Sequence, residues 1–167
     1  MTRTVEIVLT ALQEELQWQQ DLAAVLDQKL EAMKQYDITR LEALTQTEQR
    51  LLEGIRLHAV KRNTAVHQAL RELQPKQKSR RLSARELAQT LSEPLRSRLL
   101  VLTGMLREAA EKVQRLNRIN AQVTRKMLGH LDHIFRVITT TGSDIGLYSR
   151  VGKKTSGEQK RLVDAIA

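Results

Sequence analysis

Few residues in this chain carry reactive chemistry, and their spacing argues against a catalytic centre. His130 and His133 stand three apart on one predicted helix, a separation that turns two imidazoles toward the same side, as a zinc-type ion requires. Such a site needs at least one more ligand. The nearest candidate, Asp132, falls elsewhere around the helix, and His58 and His67, nine positions apart, do not complete the set. Glu14 with Glu15, and Glu108 with Glu111, are the paired carboxylates that general acid–base work would draw on. They sit among polar helix-face positions, where solvated charge is the simpler role. The chain has no Cys, which removes disulfides, thiolate ligands and a thiol nucleophile together and suits a reducing compartment. No Gly-rich phosphate loop follows a strand, and the Ser and Thr hydroxyls have no recognisable base beside them. The expectation is a protein that is not an enzyme and holds no metal or cofactor.

The elements that must position these residues are helices. Apolar residues make up 41% of the 167 but aromatics only 2%, so a core would consist of Leu, Ile, Val, Ala and Met, which suits helices packing side by side. The only prolines are Pro75 and Pro94, leaving long stretches without a breaker. From Val5 the spacing Val5, Leu9, Leu12, Leu16, Gln19, Ala23, Leu26, Leu30, Met33 alternates steps of four and three, a heptad seam with one polar member. Asp37 is placed to cap a second helix carrying Leu41, Leu44, Leu51, Ile55, Val66, Ala69, Leu70 and Leu73, which Gln74-Pro75 ends. Residues 74–82, rich in Lys and Arg, read as a linker. Ser83 and Glu86 form a capping box for a short helix, and Pro94 fits the first turn of the next. That third long helix runs Leu95, Leu99, Leu102, Leu106, Ala109, Val113, Leu116, Asn120, Val123, Met127, Ile134, Val137. The expected fold is all-α, an elongated antiparallel coiled-coil-like bundle of three long helices plus one short helix, with a flexible C-terminal tail. The helices are expected at about 5–35, 38–73, 84–91 and 93–140, giving a helical domain over 1–140 and the tail over 141–167.

The net charge of +9 and pI near 10.3 raise nucleic acid or an anionic membrane as partners. The distribution weakens that reading. Residues 1–37 hold seven acidic and three basic side chains, whereas 94–140 hold nine basic and three acidic, so adjacent helices can neutralise part of the charge. One Trp, two Tyr and one Phe provide no stacking platform for bases. A basic helical nucleic-acid binder and a structural or scaffolding coiled coil stand as the alternatives to a binder of other proteins. The N-terminus has no apolar run of signal-peptide type and no stretch approaches a membrane span, so the expected location is cytoplasmic, without membrane insertion. Heptad seams are buried equally well within one chain or between two, which leaves a homodimer open.

Three stretches carry a resemblance. LDQKLEAMKQYDITRLEALTQTEQRLLEGI joins two helices through an Asp-led turn. LNRINAQVTRKML places Asn117 and Asn120 three apart late in the last helix, and GLYSRVGK carries Tyr148 and Gly152. Together, and in this order along nearly the whole chain, they resemble the FlgN family of flagellar type III export chaperones. The resemblance implies binding of the hook–filament junction (hook-associated) proteins through their C-terminal segments and delivery to the export gate. The candidate partner contacts on the last helix are Asn117, Asn120, Val123, Met127 and Ile134, and for Tyr148 the resemblance implies a contact with the export gate's cytoplasmic domain. The tail residues Leu162, Val163 and Ile166 are expected to occupy the client groove when no client is bound. Asn120 also has a reading of its own, since an Asn on an apolar seam costs stability unless paired and fixes register.

Overall fold

The computed structural model describes residues 2–73 and 83–144, with side chains described for 3–73 and 83–140. All regular structure among them is helical: α1 (Thr2–Lys34), α2 (Ile38–Leu73), α3 (Ala84–Thr90) and α4 (Leu95–Asp144). The residues form two compact units, 1–124 and 125–167. Residues of α4 contribute to both, and each unit is described by itself.

In the first unit α1 and α2 form an antiparallel hairpin. The side-chain contacts fix its register from end to end: Thr4 donates to Glu72, Arg62 Nη1 lies 2.8 Å from Glu15 Oε1, and Lys29 pairs with Glu48. The turn is built from the backbone. Tyr36 N donates to Met33 O and Asp37 N to Ala32 O, the paired reversed bonds that close a helix C-terminus, with Tyr36 in the left-handed region (φ 56°) where glycine is usual. Asp37 then caps α2 through its carboxylate, which accepts from Arg40 N at 3.0 Å.

α4 lies against α1 and runs parallel to it, so the three long helices alternate up, down, up. Arg98 pairs with Glu6, Lys112 with Asp27, Asn120 Nδ2 donates to Leu26 O, and Thr124 Oγ1 donates to Met33 Sδ. The two ion pairs join the acidic first helix to the basic last one, as the charge distribution suggests. Both are half-exposed and contribute at most about 1 kcal/mol each.

α1 serves both neighbours because it carries two overlapping stripes. The expected seam from Val5 to Met33 is buried or half-buried throughout. A second stripe, Val8, Ala11, Glu15, Trp18, Leu22, Val25, Lys29 and Ala32, also lies buried or half-buried. Its Glu15, Trp18 and Lys29 are the residues that meet α2. Three polar or bulky members hide this stripe from a search for apolar spacing.

The densest core gathers Val5, Val8, Leu9, Leu12 and Leu16 of α1, Ala65, Val66, Ala69 and Leu70 of α2, Leu87 and Ala88 of α3, and Leu99 and Leu106 of α4. α3 has only seven residues. It holds its place through Leu87, fully buried, and through the expected capping box: Ser83 Oγ accepts from Glu86 N at 3.2 Å, and Glu86 Oε2 accepts from Ser83 N at 2.9 Å.

Candidate partner-binding site

The repeat that positions α4 in the first unit continues into the second. Within the first unit it is covered: Leu99 and Leu106 are buried, and Leu95, Leu102, Ala109, Val113, Leu116 and Val123 are half-buried. In the second unit Met127 is half-buried, but Leu128, Leu131, Ile134, Phe135 and Ile138 are exposed, Leu131 by 52% and Phe135, the chain's only Phe, by 68%. Their spacing of three, four and one wraps them into a single stripe along the helix. A contiguous row of large apolar side chains facing water is the usual mark of an interaction surface. The stripe is bordered by charge, with Arg136 Nη2 bonded to Asp132 Oδ2 at 2.6 Å across one helical turn.

The residues singled out from the sequence divide into four groups. Ile134 lies on the exposed stripe and Met127 at its start. Val123 is half-buried on the covered part of α4, and Asn117 is exposed. Asn120 is 6% exposed, and its amide donates to the backbone oxygen of Leu26 at 2.9 Å while its Oδ1 finds no partner. It therefore acts as a peg between α1 and α4, which supports its register role. Tyr148, Leu162, Val163 and Ile166 lie outside the described residues, as do the 74–82 linker and the tail beyond 144. The heptad reading picks out Ile134 but passes over Leu128, Leu131, Phe135 and Ile138. The signal that finds them is the pairing of adjacent apolar residues at 127/128 and 134/135, which broadens a narrow seam into a face.

Inside the first unit a polar layer crosses the α1/α2 interface. Glu15 is 4% exposed and salt-bridged to Arg62, with its second oxygen unpartnered. Burial raises the Glu15 pKa, and the neighbouring charges of Arg62 and His58 pull against that rise. Trp18 lies over Gly54 so closely that a methyl group there would overlap the indole, and it stacks on His58 at 5.3 Å between ring centroids. His58 Nδ1 is 3.2 Å from Glu14 Oε2 without hydrogen-bond geometry. Arg62 also lines a cavity of about 240 Å³ with Leu12, Asn63, Val66 and Ser83, and the contacts of Glu15, Trp18 and His58 with one another's helices are those of packing. Both His130 and His133 are exposed, and among the described residues no group of three or more His, Cys, Asp or Glu is poised for a metal. No helix of the described residues is long and apolar enough to cross a membrane.

In comparison with known families, a family model described as FlgN protein matches residues 1–156. No curated protein and no solved structure matches the chain.

Proposed function

The chain belongs to the FlgN family of flagellar export chaperones, and we propose that it carries hook–filament junction proteins, holding their C-terminal segments on the apolar stripe of α4. It prevents their assembly in the cytoplasm and hands them to the cytoplasmic domain of the export gate. The observation that carries this reading is the exposed row from Leu128 to Ile138. A disordered client segment with apolar residues at helical spacing gains structure when it covers such a row, because the buried area offsets the cost of ordering it. Each half-exposed Leu, Ile or Phe that becomes covered contributes on the order of 1 kcal/mol, so this face supplies roughly 5 kcal/mol, to which the apolar surface buried on the client adds and from which the ordering cost is subtracted. The chemistry fits a carrier and not a catalyst, as the family's character does.

The test is calorimetric titration of the full chain with C-terminal peptides of junction proteins from the same organism. Saturable binding with a negative heat-capacity change is expected, and Leu131→Asp together with Phe135→Asp is expected to weaken it at least tenfold without lowering the melting temperature. Undiminished affinity in that double variant would show that the client lies elsewhere.

A further inference from the structure

The hairpin tip of the first unit carries a feature that packing does not explain. Tyr36 is 75% exposed, the most exposed large apolar side chain among the described residues, and Ile38, two positions on, is 57% exposed. Tyr36 also holds a left-handed backbone (φ 56°), which glycine adopts freely and a bulky residue adopts at a cost. Glycine at 36 would serve the fold better, and a ring left in water contributes nothing to it. Strain at an exposed turn with no compensating contact inside the fold points to a role outside it. The chain has one Trp, two Tyr and one Phe. Trp18 packs on Gly54 and His58 in the α1/α2 interface, and Phe135 stands on the α4 stripe. Tyr36 does neither, and its hydroxyl reaches no partner among the described residues. The polar groups around it are already engaged: Tyr36 N donates to Met33 O, Asp37 N to Ala32 O and Arg40 N to the Asp37 carboxylate, while Glu31 accepts from both Lys34 and Gln35. These bonds fix the backbone of the turn, so Tyr36 and Ile38 stand on a preformed knob whose ordering on binding costs little.

A convex knob requires a concave, preformed pocket. A disordered client segment has none, and it gains by lying along a stripe instead of receiving a ring. A second copy would have to take the tip of one hairpin into the side of the next, a heterologous contact that leads to rings or filaments. What fits is a folded domain with an apolar pocket and an oxygen acceptor placed for the Tyr36 hydroxyl. In the chaperone reading, on which this inference rests, that partner is the export gate's cytoplasmic domain, which is met while the client keeps the α4 stripe. We propose that the Tyr36–Ile38 tip is the docking knob for the gate, with the Tyr36 ring seated in a pocket of the gate's cytoplasmic domain and Ile38 packed at the rim. A seated aromatic anchor carries much of the affinity of such an interface. The turn thus gives up folding stability for an exposed anchor.

Calorimetric titration of the full chain with the purified cytoplasmic domain of the gate from the same organism, with and without a junction-protein C-terminal peptide, tests the proposal. Tyr36→Gly is expected to weaken gate binding at least tenfold while its melting temperature rises, a combination that loss of structure cannot produce. Ile38→Asp is expected to weaken gate binding as well, and both variants are expected to bind the junction peptide as the wild type does. Undiminished gate affinity in Tyr36→Gly overturns the proposal, and so does gate binding that Tyr148→Ala abolishes and Tyr36→Gly leaves alone. A wild type that binds the peptide but not the gate domain also overturns it and leaves the client reading standing. One that binds neither contradicts that reading too.

Discussion

The two stretches of α4 share one apolar rhythm and differ in what covers it. From Leu99 to Asn120 the helix has α1 against it, down to a hydrogen bond from an Asn amide to a main-chain oxygen. From Leu128 to Ile138 the same rhythm continues and its side chains are exposed. Within the first unit Thr124 of α4 still bonds Met33 of α1. Apolar periodicity therefore records that a face requires cover. It does not record whether the cover belongs to the same chain, and in a carrier protein that distinction is the function.

The sharpest way to break this comparison is to make the same change in both stretches. Leu99→Ala, at a fully buried site, is expected to cost about 2–5 kcal/mol of folding stability by urea denaturation, whereas Leu131→Ala should cost less than about 0.5 kcal/mol and act on client affinity instead. Equal stability losses would mean that the exposed stripe is packed in the free protein.

The polar layer provides the next largest effect. Arg62→Met leaves Glu15 buried without its partner and is expected to cost about 3 kcal/mol in the same assay. The sign of the pH dependence follows from the same group. The folded Glu15 holds its proton to higher pH than the unfolded one, so its contribution to stability falls as pH rises through the window just above 4.5 and is constant below it. Replacing it by Gln should remove that part of the slope above pH 4.5. Glu72 acts in the opposite sense: the Thr4 hydroxyl, and then Gln68, stabilise its charged form, so its contribution is lost as pH falls below 4.5.

Three glycines sharpen the contrast between packed and open helix. A helix-interior Gly→Ala change ordinarily stabilises by about 0.5–1 kcal/mol. Gly104 and Gly129 have open space where a methyl would go, so both changes should raise the melting temperature. At Gly54 the methyl would overlap Trp18, so Gly54→Ala should lower it and perturb the fluorescence of the single Trp. The smallest expected effect is at the hairpin turn, where Tyr36→Gly relieves a left-handed backbone and should stabilise by about 1 kcal/mol or less.

Much of the bundle is legible in the sequence because local rules agree with one another there. The Asp37 cap, the Ser83–Glu86 box and the Val5–Met33 seam each follow from residue type and spacing, and each occupies its expected place. The second stripe of α1 is not legible by the same means, since Glu15 and Lys29 become interior residues only once Arg62 and Glu48 from α2 have met them. The exposed stripe is half legible. Ile134 stands out by heptad spacing, but the width of the face, with Leu128 and Phe135 beside it, matters only after one knows that its side chains are exposed. Asn120 is ambiguous in sequence for a similar reason: a polar residue on a seam reads equally as a peg or as a contact until its partner, a backbone oxygen of α1, is identified.

The central claim is that Leu128, Leu131, Ile134, Phe135 and Ile138 are exposed in the chaperone and covered in its complex, and amide hydrogen exchange of the full chain with and without a junction-protein C-terminal peptide tests it most directly. The account predicts that amides from 128 to 138 exchange faster than those around Leu99 and Leu106 in the free protein and slow at least tenfold when peptide binds, with little change around α3. Protection confined to α2, with 128–138 unchanged, would contradict it.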